Sequence, residues 1–233
     1  MKTIKYLPVL LVLMFLIYSC SEELKNEGEG KSEEREIVTS DGAIDELKRG
    51  NERFLAGKLA NTNYAEQIEK TKEEQKPHSV ILTCMDSRVP PEILFDQGIG
   101  KIFVVRNAGN IEDENVLGSM EYAVKFSTAK LIVVMGHSHC GAVKGAIKEA
   151  DAGNLTQLLN QIKPFIPEDR SRSDLVEETA KLSMQNTVTD ILNKSPIIKE
   201  LVDSGSIKIV TAFYDIETGK VFFKKRNLLK FCI

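Results

Sequence analysis

Residues Ser79-Val80-Ile81-Leu82-Thr83, running directly into Cys84-Met85-Asp86-Ser87-Arg88, decide the fold. The first five are mostly apolar or β-branched, with almost no alternation. That pattern belongs to a strand covered on both faces, as in a parallel sheet. It recurs at 101–106, 130–135 and 206–214. Helical patterns lie between these runs at 91–97, 116–126, 142–150 and 174–192. Ser195-Pro196 supplies a cap with proline at the first position of a further helix ending near Gly205. Strand alternating with helix predicts an α/β fold. After the fourth strand, Glu217-Thr218-Gly219 turns into 220–224, the signature of an antiparallel edge hairpin. Upstream, Thr39, Ser40 and Asp41 offer caps for a helix carrying Ile44, Leu47, Phe54 and Leu55 and ending at Gly57. A polar helix over 64–75 is stopped by Pro77. The expectation is a mainly parallel four-stranded sheet with one antiparallel edge strand, flanked by helices and preceded by an N-terminal helical arm. No repeat and no second domain is evident.

In open parallel sheets, ligands bind beyond the carboxyl ends of the strands. The first strand ends at Cys84, the second at Arg106-Asn107-Ala108-Gly109 and the third at Gly136-His137. His137-Ser138-His139-Cys140 sets a nitrogen and a sulfur donor three residues apart on a turn into a helix. Two thiolates and an imidazole suit tetrahedral Zn²⁺, and three protein ligands leave the open fourth position of a catalytic site. Asp86 and Arg88, two residues apart beside Cys84, suit a carboxylate clamped by a guanidinium and so kept ionised.

Cys84-x-Asp86-x-Arg88 with His137-x-x-Cys140 resembles the signature of the β-carbonic anhydrases. The similarity extends from about residue 42 to 223. It includes Ser87-Arg88-Val89-Pro90-Pro91-Glu92, 103–110, Glu121-Tyr122-Ala123-Val124 and Gly136-His137-Ser138-His139-Cys140-Gly141. The resemblance implies reversible hydration of carbon dioxide to bicarbonate and a proton through a zinc-bound hydroxide. It makes Cys84, His137 and Cys140 the ligands of one Zn²⁺ per chain, and Asp86 with Arg88 the catalytic dyad. Gln75, Phe103 and Tyr122 match pocket positions. The family pocket lies at a dimer interface, so Gln75 and Phe103 would serve the neighbouring subunit's zinc, and the N-terminal helix would lie over the partner. A homodimer or higher even oligomer follows. In some members the equivalent of Asp86 ligates zinc instead. Two alternatives stay open: hydrolysis of carbon disulfide or carbonyl sulfide on the same scaffold, and a non-enzymatic redox or metal-binding lipoprotein, with Cys84 and Cys140 paired as a disulfide or with a weakly held, exchangeable metal. His139 is either a proton shuttle or a bystander, and His78 reads as structural.

Lys2 and Lys5 precede an apolar run over 7–17, too short to span a bilayer comfortably. Ile17-Tyr18-Ser19-Cys20 resembles the lipobox of bacterial lipoproteins. This implies a signal peptide over 1–19 and lipidation at Cys20. Residues 20–38, rich in Glu, Lys, Gly and Ser, read as a flexible tether before a domain over 39–233. The expected location is a bacterial membrane, reached by export, on its periplasmic side or at the cell surface. Cys232 reads as a free or packed thiol. The chain is 42% hydrophobic with a net charge of −3, and it lacks tryptophan and any basic stripe. Nucleic acid is therefore not an expected partner.

Overall fold

The four unalternating runs become the strands β1 (Ser79–Cys84), β2 (Ile102–Asn107), β3 (Leu131–His137) and β4 (Lys208–Tyr214), all parallel. The structure is a computed structural model and describes residues 36–224. The 1–19 leader, Cys20, the tether up to residue 35, and Cys232 lie outside the described residues. A fifth strand, β5 (Val221–Lys224), pairs antiparallel with β4, and the sheet order is β2-β1-β3-β4-β5. The α/β architecture with one antiparallel edge is the one the sequence patterning predicts.

Every residue of β1 and β3 is buried, which is why neither strand alternates. Their side chains still divide by parity between two apolar layers. Ile81, Leu131, Val133 and Met135 pack with Ala43, Ile44 and Leu47 of α1 (Ser40–Leu55) and with Leu94 of α3 (Pro91–Leu94). Val80, Leu82, Ile132 and Val134 face the opposite layer. There they meet Val116 and Met120 of α4 (Glu114–Glu121) and Met184, Val188 and Ile191 of α7 (Leu175–Lys194). Full burial of each such side chain contributes about 1.5–3 kcal/mol.

The N-terminal helix begins where its cap predicts, with Thr39 Oγ1 accepting from the Gly42 amide at 3.1 Å. Its apolar stripe packs on its own sheet through Ala43, Ile44 and Leu47. Gly50 marks how close it comes, since a Cβ there would sit 1.7 Å from the Phe95 carbonyl oxygen. Buried Asn51 ties the helix onward, donating to the Leu94 and Gly219 carbonyls and accepting from the Val221 amide. The polar helix α2 (Tyr64–Thr71) is shorter than the 64–75 pattern and buries none of its residues.

Other boundaries shift for local reasons. The 91–97 pattern closes early as α3, because Asp96 adopts a left-handed conformation with φ +46°. The 116–126 pattern splits into α4, capped by Asp113, and a wider π-type turn over Tyr122–Phe126. The 142–150 pattern is α5 (Gly141–Ile147). Helix α6 (Gly153–Asn160) is absent from the sequence reading. The final helix, α8 (Pro196–Asp203), starts on Ser195, whose Oγ accepts from the Ile198 amide at 3.1 Å.

Candidate metal centre

The strands β1 and β3 are parallel neighbours with Thr83 opposite Met135, so Cys84 and His137 emerge at the same end of the sheet. The chain then turns through His139, whose φ is +57°, and delivers Cys140 at the start of α5. The donor atoms of Cys84, His137 and Cys140 all lie within 4.8 Å of one another. All three residues are buried, with exposures of 4%, 0% and 2% respectively. Among the described residues this is the one group of three or more such donors arranged to hold a metal ion.

The spacing is that of two sulfurs sharing a metal. The Cys84 and Cys140 sulfurs are 3.9 Å apart, and two sulfurs at about 2.3 Å from a tetrahedral zinc stand about 3.8 Å apart. A disulfide would require about 2.05 Å. Both cysteines are free, so the expected alternative of a Cys84–Cys140 disulfide is not the arrangement found. A hydrogen bond between the sulfurs, with Cys84 as acceptor, lowers the Cys84 thiol to about 4 against the opposing effect of burial. The same bond pushes Cys140 up.

The imidazole gives the clearest indication of a cation. His137 Nδ1 lies 2.8 Å from the Ser138 carbonyl oxygen, an acceptor only, so Nδ1 carries the proton and Nε2 a lone pair. That Nε2 is buried and has no hydrogen-bond partner among the described residues. A buried nitrogen lone pair oriented by a carbonyl behind its ring is the usual condition of a metal-bound histidine. Together the two sulfurs and this nitrogen fit zinc.

Asp86 is engaged elsewhere. Arg88 donates from Nε to Asp86 Oδ1 at 2.9 Å and from Nη2 to Oδ2 at 2.7 Å, and its amide donates to Oδ1 at 3.0 Å. These bonds hold the Asp86 carboxyl well below the usual carboxylate range. The aspartate thus stands outside the ligand group, in the clamped arrangement that its spacing from Arg88 predicts.

Three groups that the sequence locates at a strand end, without assigning them a role, complete the surroundings. Arg106 donates to the carbonyl oxygens of Cys84 and Asp86. Asn107 clips the following loop by exchanging hydrogen bonds with the backbone of Ile111. The Gly109 amide then points at Cys84 Sγ from 3.5 Å. Helix α6 and the turn after it add Leu159 and Ile162 to the apolar shell around both cysteines. Gly109 has φ +78°, and a Cβ on it would stand 2.7 Å from Ile162 Cδ1. Gly109→Ala is therefore expected to destabilise the fold by about 1–3 kcal/mol and to weaken zinc retention. Denaturant melts combined with zinc analysis of the dialysed protein will measure both effects.

The sequence-derived pocket residues lie away from their own chain's Cys84, His137 and Cys140 group. Phe103 is paired with Val80, four residues or about 13 Å along β1 from Cys84. Its ring meets Tyr122 edge-on at 6.2 Å, and the exposed Tyr122 stacks on Phe126. Gln75 is exposed in the connection between α2 and β1. His139 projects outward, with Nε2 3.0 Å from Glu217 and Nδ1 3.7 Å from Glu177. His78 is structural, buried with its ring nitrogens against Ser79 Oγ and Gln97 Oε1.

A family model described as carbonic anhydrase matches residues 79–221. Carbonic anhydrase 2 of Mycobacterium tuberculosis is 38% identical over 186 residues, covering 76% of this chain and 89% of that protein. The carbonic anhydrase of Mycolicibacterium smegmatis is 38% identical over 182 residues, covering 75% and 88%. Among solved structures, the β-carbonic anhydrase CcaA superposes with a TM-score of 0.63 at 26% identity, covering 78% of this chain and 95% of that one. A tetrameric β-carbonic anhydrase of Sordaria macrospora gives a TM-score of 0.64 at 25% identity, covering 79% and 98%.

Proposed function

The chain belongs to the β-class carbonic anhydrases, and from that premise we propose that Cys84, His137 and Cys140 hold one zinc ion per chain, served by Asp86 and Arg88. The observation that carries this reading is the buried His137 Nε2, which has no hydrogen bond of normal geometry among the described residues and stands beside two free sulfurs 3.9 Å apart. Zinc held there supplies a Lewis acid that makes water a nucleophile near neutral pH. The protein's own contribution is orientation. Asp86, ionised and fixed by Arg88, keeps a lone pair of Oδ2 free to accept a hydrogen bond from the attacking water and so to aim it at the carbon of CO₂. Arg88 holds that carboxylate away from the metal, which leaves the fourth position for the reaction. The apolar shell of Ile111, Val143 and Ile162 suits a nonpolar substrate and strengthens the electrostatics of the ligands.

The chain is proposed to act as a homodimer or a higher even oligomer. The support is the open edge of the sheet. β2 is only partly buried, and exposed Ile99, Tyr122 and Phe126 lie along that side or adjacent to it. Across such an interface Gln75, Phe103 and Tyr122 would line the partner's pocket. Lipidation at Cys20, export and membrane anchoring are proposed from the leader sequence alone.

Metal analysis with stopped-flow hydration of CO₂ tests the reading, carbon disulfide and carbonyl sulfide being assayed alongside. About one zinc per chain and pH-dependent hydration are expected. Stoichiometric zinc with turnover of only the sulfur-containing gases would overturn the substrate, and absence of both metal and turnover would overturn the site.

A further inference from the structure

We propose that Arg106 is the positioning residue that sets Asp86 over the metal centre, a role that rests on the carbonic anhydrase reading above. Arg88 fixes the shape of the dyad but not its place. It lies two residues from Asp86 in the same exposed loop, so the two side chains can move together as one unit. Buried Val89 ties the loop's far end, its amide donating to the Asp86 carbonyl oxygen at 3.0 Å, and the near end has to be set from outside the loop.

Arg106 does this from the neighbouring strand. It is the penultimate residue of β2, opposite Thr83. Its Nε donates to the Cys84 carbonyl oxygen at 3.2 Å and its Nη2 to the Asp86 carbonyl oxygen at 2.6 Å. One planar guanidinium therefore grips the backbone on both sides of Met85. The Met85 amide adds a third tie, donating to the Asn107 carbonyl at 3.0 Å. Met85 itself is 63% exposed. Cys84 needs this grip less than Asp86 does. It is held by its register with Asn107 and by the Gly109 amide at its sulfur. Arg106 is itself exposed, so its removal leaves the core intact. The fork geometry also matters, because a lysine donates from a single nitrogen and cannot reproduce the two fixed donors, Nε and Nη2, that reach the two carbonyls separately.

The experiment compares wild type, R106A, R106K, D86N and the double variant D86N/R106A. R106A is expected to lower kcat about 10- to 100-fold, as removal of an outer support typically does. KM and zinc content stay near wild type. Hydrogen exchange across 85–88 quickens while that of β1 does not. R106K fails to restore the rate, and guanidinium chloride restores part of it in R106A where equal sodium chloride does not. In the D86N background the Arg106 substitution costs almost nothing, because no carboxylate remains to be placed. An equal penalty in both backgrounds, a rate lost together with zinc, or an R106A of full activity overturns the inference. A wild type without hydratase activity sinks the underlying reading as well, whereas an active wild type beside an unaffected R106A sinks the inference alone.

Discussion

Replacing Cys84 by serine is expected to yield a folded protein that retains no zinc through dialysis and hydrates CO₂ no faster than buffer. The argument begins with acidity. The Cys84 thiol, drawn down to about 4, is ready to bind a cation at neutral pH, whereas a serine hydroxyl there stays protonated and is a weak donor. Structural zinc sites contribute about 10–16 kcal/mol of binding, of which a thiolate ligand supplies a large share. His137 and Cys140 alone then make an incomplete site. The fold, by contrast, loses little. Serine is smaller than cysteine, and the Cys84 backbone keeps its ladder register with Asn107 and its carbonyl bond from Arg106. Elemental analysis and a melting curve separate the two quantities. A variant that keeps stoichiometric zinc and the wild-type rate would show that Cys84 is not a ligand.

The candidate metal-binding residues are legible in the sequence because they obey a positional rule. Cys84 and His137 close two apolar runs, and parallel strands align such ends without further information. The Asp86–Arg88 clamp is legible for a different reason, since two residues suffice for a bidentate contact within one loop. What stays hidden depends on distant partners. An arginine ending a strand can reach in several directions, and only the register of β2 against β1 shows Arg106 meeting the carbonyls of Cys84 and Asp86. Arg53 and Asp96, forty-three positions apart, are likewise joined only once α1 is folded onto α3. Helix α6 escapes because a polar eight-residue segment with three leucines gives a weak periodic signal, although Leu159 proves central to the shell around the site. The run at 101–106 reads like its neighbours, yet β2 is only partly buried in the single chain. Apolar content reports that a face will be covered, not whether the cover comes from the same molecule.

Asp86→Asn separates the carboxylate's charge from its shape, and it is expected to lower kcat at least about a hundredfold while zinc stays bound. Asparagine matches aspartate in size, and Asp86 lies outside the Cys84, His137 and Cys140 group, so neither packing nor metal retention is expected to depend on the charge. The clamp does depend on it. Arg88 donates to both carboxylate oxygens, and an amide nitrogen in place of one would face a donor with a donor. The guanidinium would swing away, and the hydrogen bond that orients the attacking water would be lost with it. The pH dependence follows from the sign of the shift. Hydrogen bonds from Arg88 lower the Asp86 carboxyl, so its ionised form persists through and below the usual carboxylate range and is lost only in stronger acid. The rate ratio of wild type to D86N should therefore stay level from about pH 6 to 9, whatever the zinc-dependent chemistry does over that interval. A ratio falling toward unity at the acid end would mean that Asp86 takes up a proton there, and the clamp described above would then not be its working state.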